Sequence, residues 1–260
     1  MLFPISDDDR ALSGPAVVTI LVILANVVGF LYQNANPDFT YGWSFIPYEA
    51  STGQDLANAL PEPDPTRPIT EEQLPQRPGP GPAPLIYLTV LSAMFMHGGW
   101  AHLGGNILYL WIFGDNVEQR FGAPAFLAFY LASGAAATAV QWALDPGSLV
   151  PNLGASGAIS GVLGAYLVLF PRNRVNALFF FFVVSIPAFV VLGLWIAFQF
   201  INGYGAIAAT EEMGGVAYGA HVGGFVAGAV LALLMRGRMR ERPNVLTSAA
   251  AGDPRQRVMW

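Results

Sequence analysis

The sequence contains no cysteine and no lysine. Without cysteine no disulfide can form, and the redox compartment leaves no mark on the chain. All twelve basic residues are arginine; with the abundant alanine and glycine, this points to a GC-rich bacterial genome. Charge of either sign is scarce, at 11% of 260 residues, where soluble domains carry about 25%. That excludes an ordinary soluble domain. A net charge of −5 spread over so few ionisable groups says little about partners, and no nucleic-acid partner is expected. The start, "MLFPISDDDR", lacks the basic stretch that opens a cleavable signal peptide. The first apolar run is therefore read as a retained helix.

What is present is apolar: 54% of the residues, much of it in runs near the roughly 17–25 residues that cross a bilayer as a helix. The expected fold is an all-α membrane protein of six spans, at about 15–32, 101–116, 123–144, 154–170, 176–200 and 214–235. Residues 1–14 form a short N-terminus, 15–235 the membrane domain, and 236–260 a basic, loose tail. The apolar piece 85–96, "LIYLTVLSAMFM", is short for a span and is read as interfacial or re-entrant. A long connection, 33–84, joins the first two spans. Its early part, "FTYGWSFIPYEA", is aromatic and suits the interface. Its later part, 61–84, has nine prolines in 24 residues and cannot be a helix or a central strand.

Six spans put both termini on one side. Placed inside, Arg10, Arg120, Arg172, Arg174 and the six tail arginines are cytoplasmic, and only Arg67 and Arg77 are outside. That agrees with the excess of basic residues on the cytoplasmic side of membrane proteins. The expected location is a bacterial inner membrane, with cytoplasmic termini.

Residues 152–161 read "NLGASGAISG", which puts Ser156 among small residues at the head of an apolar run. The ordinary reading is close helix packing, for which serine counts as small. The other is a nucleophile. The chain has three histidines, His97, His102 and His221, and an ionisable residue within a span calls for a functional hypothesis. In the expected topology the second, fourth and sixth spans all run from outside to inside. His102 lies 13 residues before Asp115, Ser156 15 before Pro171, and His221 15 before Arg236. At 1.5 Å per residue each site is roughly 20 Å above the inner boundary. Three independent packing residues have no reason to match in depth.

Glycine spacing supports convergence. Gly154, Gly157, Gly161 and Gly164 follow one face of the fourth span. Gly224 and Gly228 follow the face of His221, flanked by Ala220 and Ala232. Helices bearing such stripes can approach closely, bringing the Ser156 hydroxyl within reach of the His221 imidazole. His221 would then be the general base for attack by Ser156. No acid lies at a matching depth, so a two-residue dyad is the economical reading. His102 and Asn106 share a helix face, and their donors, with the Ser156 backbone N–H, could stabilise an oxyanion. His97, about 140° away from His102 around an ideal helix, is read as bracing the "HGGW" turn.

These residues match a known pattern. The sequence resembles the rhomboid intramembrane serine proteases: "HGGWAHLGGN" (97–106), "VEQRFG" (117–122), "GASG" (154–157) and "AHVGGFVAG" (220–228) are similar to motifs of that family. The resemblance implies a six-helix rhomboid bundle that cleaves transmembrane, single-span protein substrates in the lipid bilayer. It carries Ser156 over as nucleophile, His221 as base, and His102, Asn106 and the Ser156 backbone as oxyanion donors. No cofactor or metal is expected. Some family members place an aromatic residue four positions after the nucleophile, packed on the base; here that position is Ser160, so another group must hold His221. The alternatives are a non-catalytic rhomboid-like protein that binds membrane clients, a three-histidine metal-dependent hydrolase, and a transporter, against which stand sites placed towards one face and the lack of an inverted repeat. The first would be expected to lack Ser156 or His221. The second leaves "GASG" without a purpose.

Overall fold

In hydrocarbon a backbone must satisfy its own polar groups, so apolar runs of this length fold as helices. The computed structural model describes residues 2–7, 14–53, 83–209 and 217–238. The long helices are α1 (Val17–Ala35), α5 (Trp100–Phe121), α6 (Ala123–Leu144), α7 (Ser156–Leu169), α8 (Ala188–Ala209) and α9 (Tyr218–Met235). Between α1 and α5 come α2 (Pro37–Trp43), α3 (Pro47–Thr52) and α4 (Thr89–Ser92), the last flanked by 3-10 turns at 83–88 and 93–95. Helices α1, α6 and α9 are long and apolar enough to cross a membrane; α7 and the stretches Ile86–Phe95 and Ala188–Gly203 are shorter apolar helices. The proline-rich 61–84, apart from its last two residues, and the tail beyond 238 lie outside the described residues, as does Arg10.

Helix α7 is the centre. Every residue from Gly157 to Tyr166 is buried, walled by α5, α6 and α9. Along the α7–α9 seam there is no room for a side-chain carbon. A Cβ on Gly224 would lie 2.1 Å from the Gly157 carbonyl oxygen, one on Gly228 2.0 Å from that of Gly161, and one on Gly164 2.1 Å from that of Phe225. The outer faces of α1, α8 and α9 expose Leu24, Val28, Leu194, Phe198, Val230 and Leu234, a surface suited to lipid.

Three features differ from expectation. The fifth span does not begin at 176: β2 (Arg174–Phe179) and β3 (Phe182–Pro187) form an antiparallel hairpin, and α8 starts only at Ala188. An unbroken apolar run cannot by hydropathy alone be told from a strand. Here β-branched and aromatic residues favour the strand, and Phe180 (φ 53°) makes the turn. Val175 and Ala177 face inward, while Arg174 and Leu178 are exposed. The N-terminus adds β1 (Leu2–Ser6) antiparallel to β2, so the fold is mostly helical with a three-stranded sheet in the order β1-β2-β3. Finally, α5 continues to Phe121, past the expected end at 116. Its last turns carry buried Glu118, whose carboxylate accepts the Val18 N–H (2.9 Å), the Thr19 N–H (2.7 Å) and the Thr19 hydroxyl (2.8 Å). One side chain thereby caps the exposed donors of α1.

Candidate active site

Ser156 is the first residue of α7. The chain leading to it is fixed from two sides. Phe45 and Asn152 exchange backbone hydrogen bonds (3.1 and 2.7 Å), and Gly154 N–H donates to the Ala93 carbonyl (2.9 Å). The aromatic early part of the first connection therefore packs beside the loop that leads to Ser156, with Phe45 in a small cluster against Trp142 and Leu153. Gly154 has φ 129°, a region that favours glycine. A Cβ there would meet His102 Cε1 at 2.8 Å and Nε2 at 2.9 Å. Only glycine lets that imidazole lie against the chain just ahead of Ser156.

His221 sits in the first turn of α9, beside Ala220. The glycine seam sets the two helices so close that His221 Nε2 and Ser156 Oγ are 2.8 Å apart. The other ring nitrogen, Nδ1, lies 2.8 Å from Oε1 of Gln199 on α8. Trp195, one turn earlier on α8, leans over the imidazole with ring centroids 6.0 Å apart at 38°. Ser160 turns away: its hydroxyl donates to the Ser156 carbonyl at 2.7 Å. Beside Ser156 a small cavity is lined by Gly134, Ala137, Gly154, Gly157, Ala217 and Ala220, among others.

Of the oxyanion candidates, His102 lies against Gly154, just ahead of Ser156. Asn106 is buried, and its Nδ2 has no hydrogen-bond partner among the described residues. Burying an amide donor unpaired costs about 1–3 kcal/mol. His102 Nδ1 accepts the Gly98 N–H at 3.3 Å, and its other side abuts Gly154. His97 precedes α5 and is fully buried. Its backbone N–H donates to Gln33 Oε1 (3.0 Å) and its carbonyl accepts from Gln33 Nε2 (2.8 Å), tying the turn to α1. Its ring packs edge-on against His102, with centroids 5.2 Å apart. Among the described residues no group of three His, Cys, Asp or Glu side chains is placed to hold a metal.

Gln199 and Trp195 were not singled out in the sequence. Their signal was there: a glutamine inside an apolar run, four residues from a tryptophan and so on the same helix face. An orienting partner for an imidazole need not be an acid, because an amide oxygen also accepts a hydrogen bond.

The fold and this pairing of side chains define a mostly helical integral membrane protein with a serine and a histidine hydrogen-bonded between two adjoining helices. The sequence pattern of the Rhomboid domain matches residues 86–238, more than half of the chain, and the chain belongs to the rhomboid family. It is 33% identical over 145 residues to "Rhomboid protein 1, mitochondrial" of Saccharomyces cerevisiae, covering 54% of this chain and 40% of that protein. It is 33% identical over 153 residues to "Rhomboid protease GluP" of Bacillus subtilis, covering 59% of this chain and 28% of that one. It is also 30% identical over 152 residues to "RHOMBOID-like protein 5" of Arabidopsis thaliana, covering 56% and 43%. The match thus spans less than half the length of each of these relatives.

Proposed function

We propose that this chain is an intramembrane serine endopeptidase that cuts single-span transmembrane proteins near the outer leaflet, using Ser156 and His221. The observation that carries the reading is the 2.8 Å contact of His221 Nε2 with Ser156 Oγ across the α7–α9 seam. His221 takes the hydroxyl proton as Oγ bonds to the scissile carbonyl carbon. The carbonyl oxygen gains the negative charge, and the Ser156 N–H, Asn106 Nδ2 and the His102 ring would donate to it. Ser156 is at the start of a helix, where N–H groups are unpaired and the dipole favours an anion. The tetrahedral species then expels the amine, which receives the proton held by His221, leaving an acyl-Ser156 ester. Water, deprotonated by the same imidazole, hydrolyses that ester and restores the serine. The small side chains beside Ser156 leave space for a small residue at the cut.

The proposed membrane is a bacterial inner membrane. The chain would cross it six times with termini in the cytoplasm, as the arginine distribution supports. Purified protein in liposomes with a model single-span substrate tests the chemistry. Wild type should cleave, and Ser156→Ala and His221→Ala should not, at unchanged thermal stability. EDTA should have no effect. Full activity of Ser156→Ala would end this reading. For topology, a cysteine at Gln73 should react with an impermeant maleimide on intact cells, and one at Ser248 only after permeabilisation; the reverse pattern would invert the orientation.

A further inference from the structure

We propose that Gln199 is the positioning residue of His221: its amide oxygen accepts the Nδ1 proton and so holds the imidazole in the tautomer whose Nε2 lone pair faces the Ser156 hydroxyl. This rests on the reading of His221 as the base. A neutral imidazole carries one N–H, and a free choice of tautomer would put it on either nitrogen. Facing Nδ1 is a carbonyl oxygen, Oε1, which has no proton to give; the 2.8 Å separation is a hydrogen bond only if Nδ1 is the donor. Nε2 is then bare and 2.8 Å from the serine oxygen, so the hydroxyl must donate to it. That is the arrangement proton abstraction needs. In the other tautomer Nε2–H would point at Oγ, with nothing to receive the serine proton, and two lone pairs would oppose each other at Nδ1 and Oε1.

Burial makes the preference strong. Gln199 is 6% exposed, on a helix whose neighbouring positions are Ile196, Ala197, Phe198 and Phe200. A polar amide in such surroundings is costly unless paired. Its partner is the one imidazole whose tautomer matters. An amide also suits this depth better than the carboxylate of soluble serine proteases. A carboxylate would have to remain ionised while buried, at a large desolvation cost, whereas a neutral amide orients without charge. When His221 becomes an imidazolium during attack, the same Nδ1–H···Oε1 bond becomes charge-assisted and strengthens. Gln199 therefore acts most at the tetrahedral stage. Trp195, one turn earlier on the same face, lies over the ring and limits its swing. Together these residues of α8 take the place that an aromatic at position 160 would fill from α7.

Three measurements decide it. The first is nitrogen-15 NMR of histidine-labelled protein; with three histidines, His221 is assigned by comparison with His221→Ala. Wild type should carry the proton on Nδ1, and Gln199→Met, which keeps the side-chain length but loses the acceptor, should shift it towards Nε2. The second is kinetics: Gln199→Met should lower kcat about tenfold or more, a part of the about 10²–10⁴-fold that a correctly protonated general base contributes, with KM within about twofold. Gln199→Glu, which keeps an acceptor oxygen, should recover most of that loss. The third is the rate at which a fluorophosphonate labels Ser156, which should follow kcat across the variants with no transmembrane substrate present. A wild-type His221 protonated on Nε2, or a Gln199→Met protein with unchanged tautomer and labelling rate, overturns the proposal. If wild type neither cleaves nor labels, the serine-protease reading falls by itself, and the tautomer still decides whether Gln199 orients the ring.

Discussion

Along the seam of α7 and α9 the two backbones touch through glycines; between α8 and α9 the contact is made by side chains, Trp195 and Gln199 against His221 and Phe225. The first kind of contact sets the distance between two helices and has no freedom. The second sets the rotation of one ring and can be altered atom by atom. In the proposed chemistry Ser156 and His221 need both: the seam brings them together, and α8 would settle how the imidazole stands. Adding a methyl group to a glycine of the seam and to the outward-facing Gly193 of α8 should therefore have opposite consequences. The largest effect is expected for Gly228→Ala. Its Cβ would lie 2.0 Å from a backbone oxygen, and 2.5 Å from the carbon atoms beside it, none of which can rotate away. Overpacking typically costs about 1–3 kcal/mol and occasionally more, and a backbone obstacle places this change at the upper end. Denaturation in detergent should show the loss, and cleavage should vanish as the helices separate. Unchanged stability would mean that the seam is not the rigid element.

Gly154→Ala tests the one glycine of this region that lies outside the helices. The substitution forces an unfavourable φ and pushes against the His102 ring, but the loop has more room to yield than a helix–helix contact. The expected stability cost is smaller, about 1–2 kcal/mol. The loss of turnover should exceed what that cost explains, since His102 and the head of α7 move together. A variant that is destabilised yet fully active would remove His102 from the oxyanion site.

Asn106→Ala isolates chemistry from packing. Its Nδ2 is buried without a partner among the described residues, so deletion should leave stability unchanged or slightly raised. Turnover should fall. A single side-chain oxyanion donor is worth about 10²–10³ in kcat in a soluble serine protease, and shared donors here should make the loss milder. Asn106→Asp should be worse, because a carboxylate repels the oxyanion. A raised KM with kcat spared would make Asn106 a docking residue instead.

The seam was legible in part because glycine spacing is a one-dimensional record of a face: Gly164, Gly224 and Gly228 meet the opposite helix where the spacing put them, whereas a Cβ on Gly157 or Gly161 would first meet Ala137 or Ser133 of α6, and Gly154 lies ahead of the helix. The meeting of Ser156 with His221, 2.8 Å apart, was legible for the same reason, since helical rise converts sequence number into height along a helix. The flank was not. Which side of α9 the α8 helix covers depends on the turn that delivers it, and that turn is a hairpin, 174–187, whose phenylalanine and valine run has the hydropathy of a span. Gln199 could not be matched to His221 without knowing that rotation. The Glu118 cap on α1 was hidden likewise: its partners Val18 and Thr19 are about a hundred residues away, and no spacing rule links them. The β1 strand needs a partner brought by the same hairpin.

The smallest effect, and the control for the first, is Gly193→Ala on α8. This glycine lies six residues before Gln199 in a helix, and a Cβ built on it meets nothing within 4 Å. No steric cost is expected. Glycine within a helix is about 0.8–1.0 kcal/mol less favourable than alanine, because the unfolded chain gives up more freedom. The measured gain should be at most that size, since a helix confined by a bilayer is already restrained. Cleavage should stay within twofold of wild type, because Gly193 is two residues from Trp195 and does not share its face. The same methyl group thus destabilises the α7–α9 seam and spares or strengthens α8. Should Gly193→Ala impair folding or turnover as Gly228→Ala does, α8 would be as tightly fixed as the seam. The division between a backbone contact that sets distance and a side-chain contact that sets orientation would then not hold.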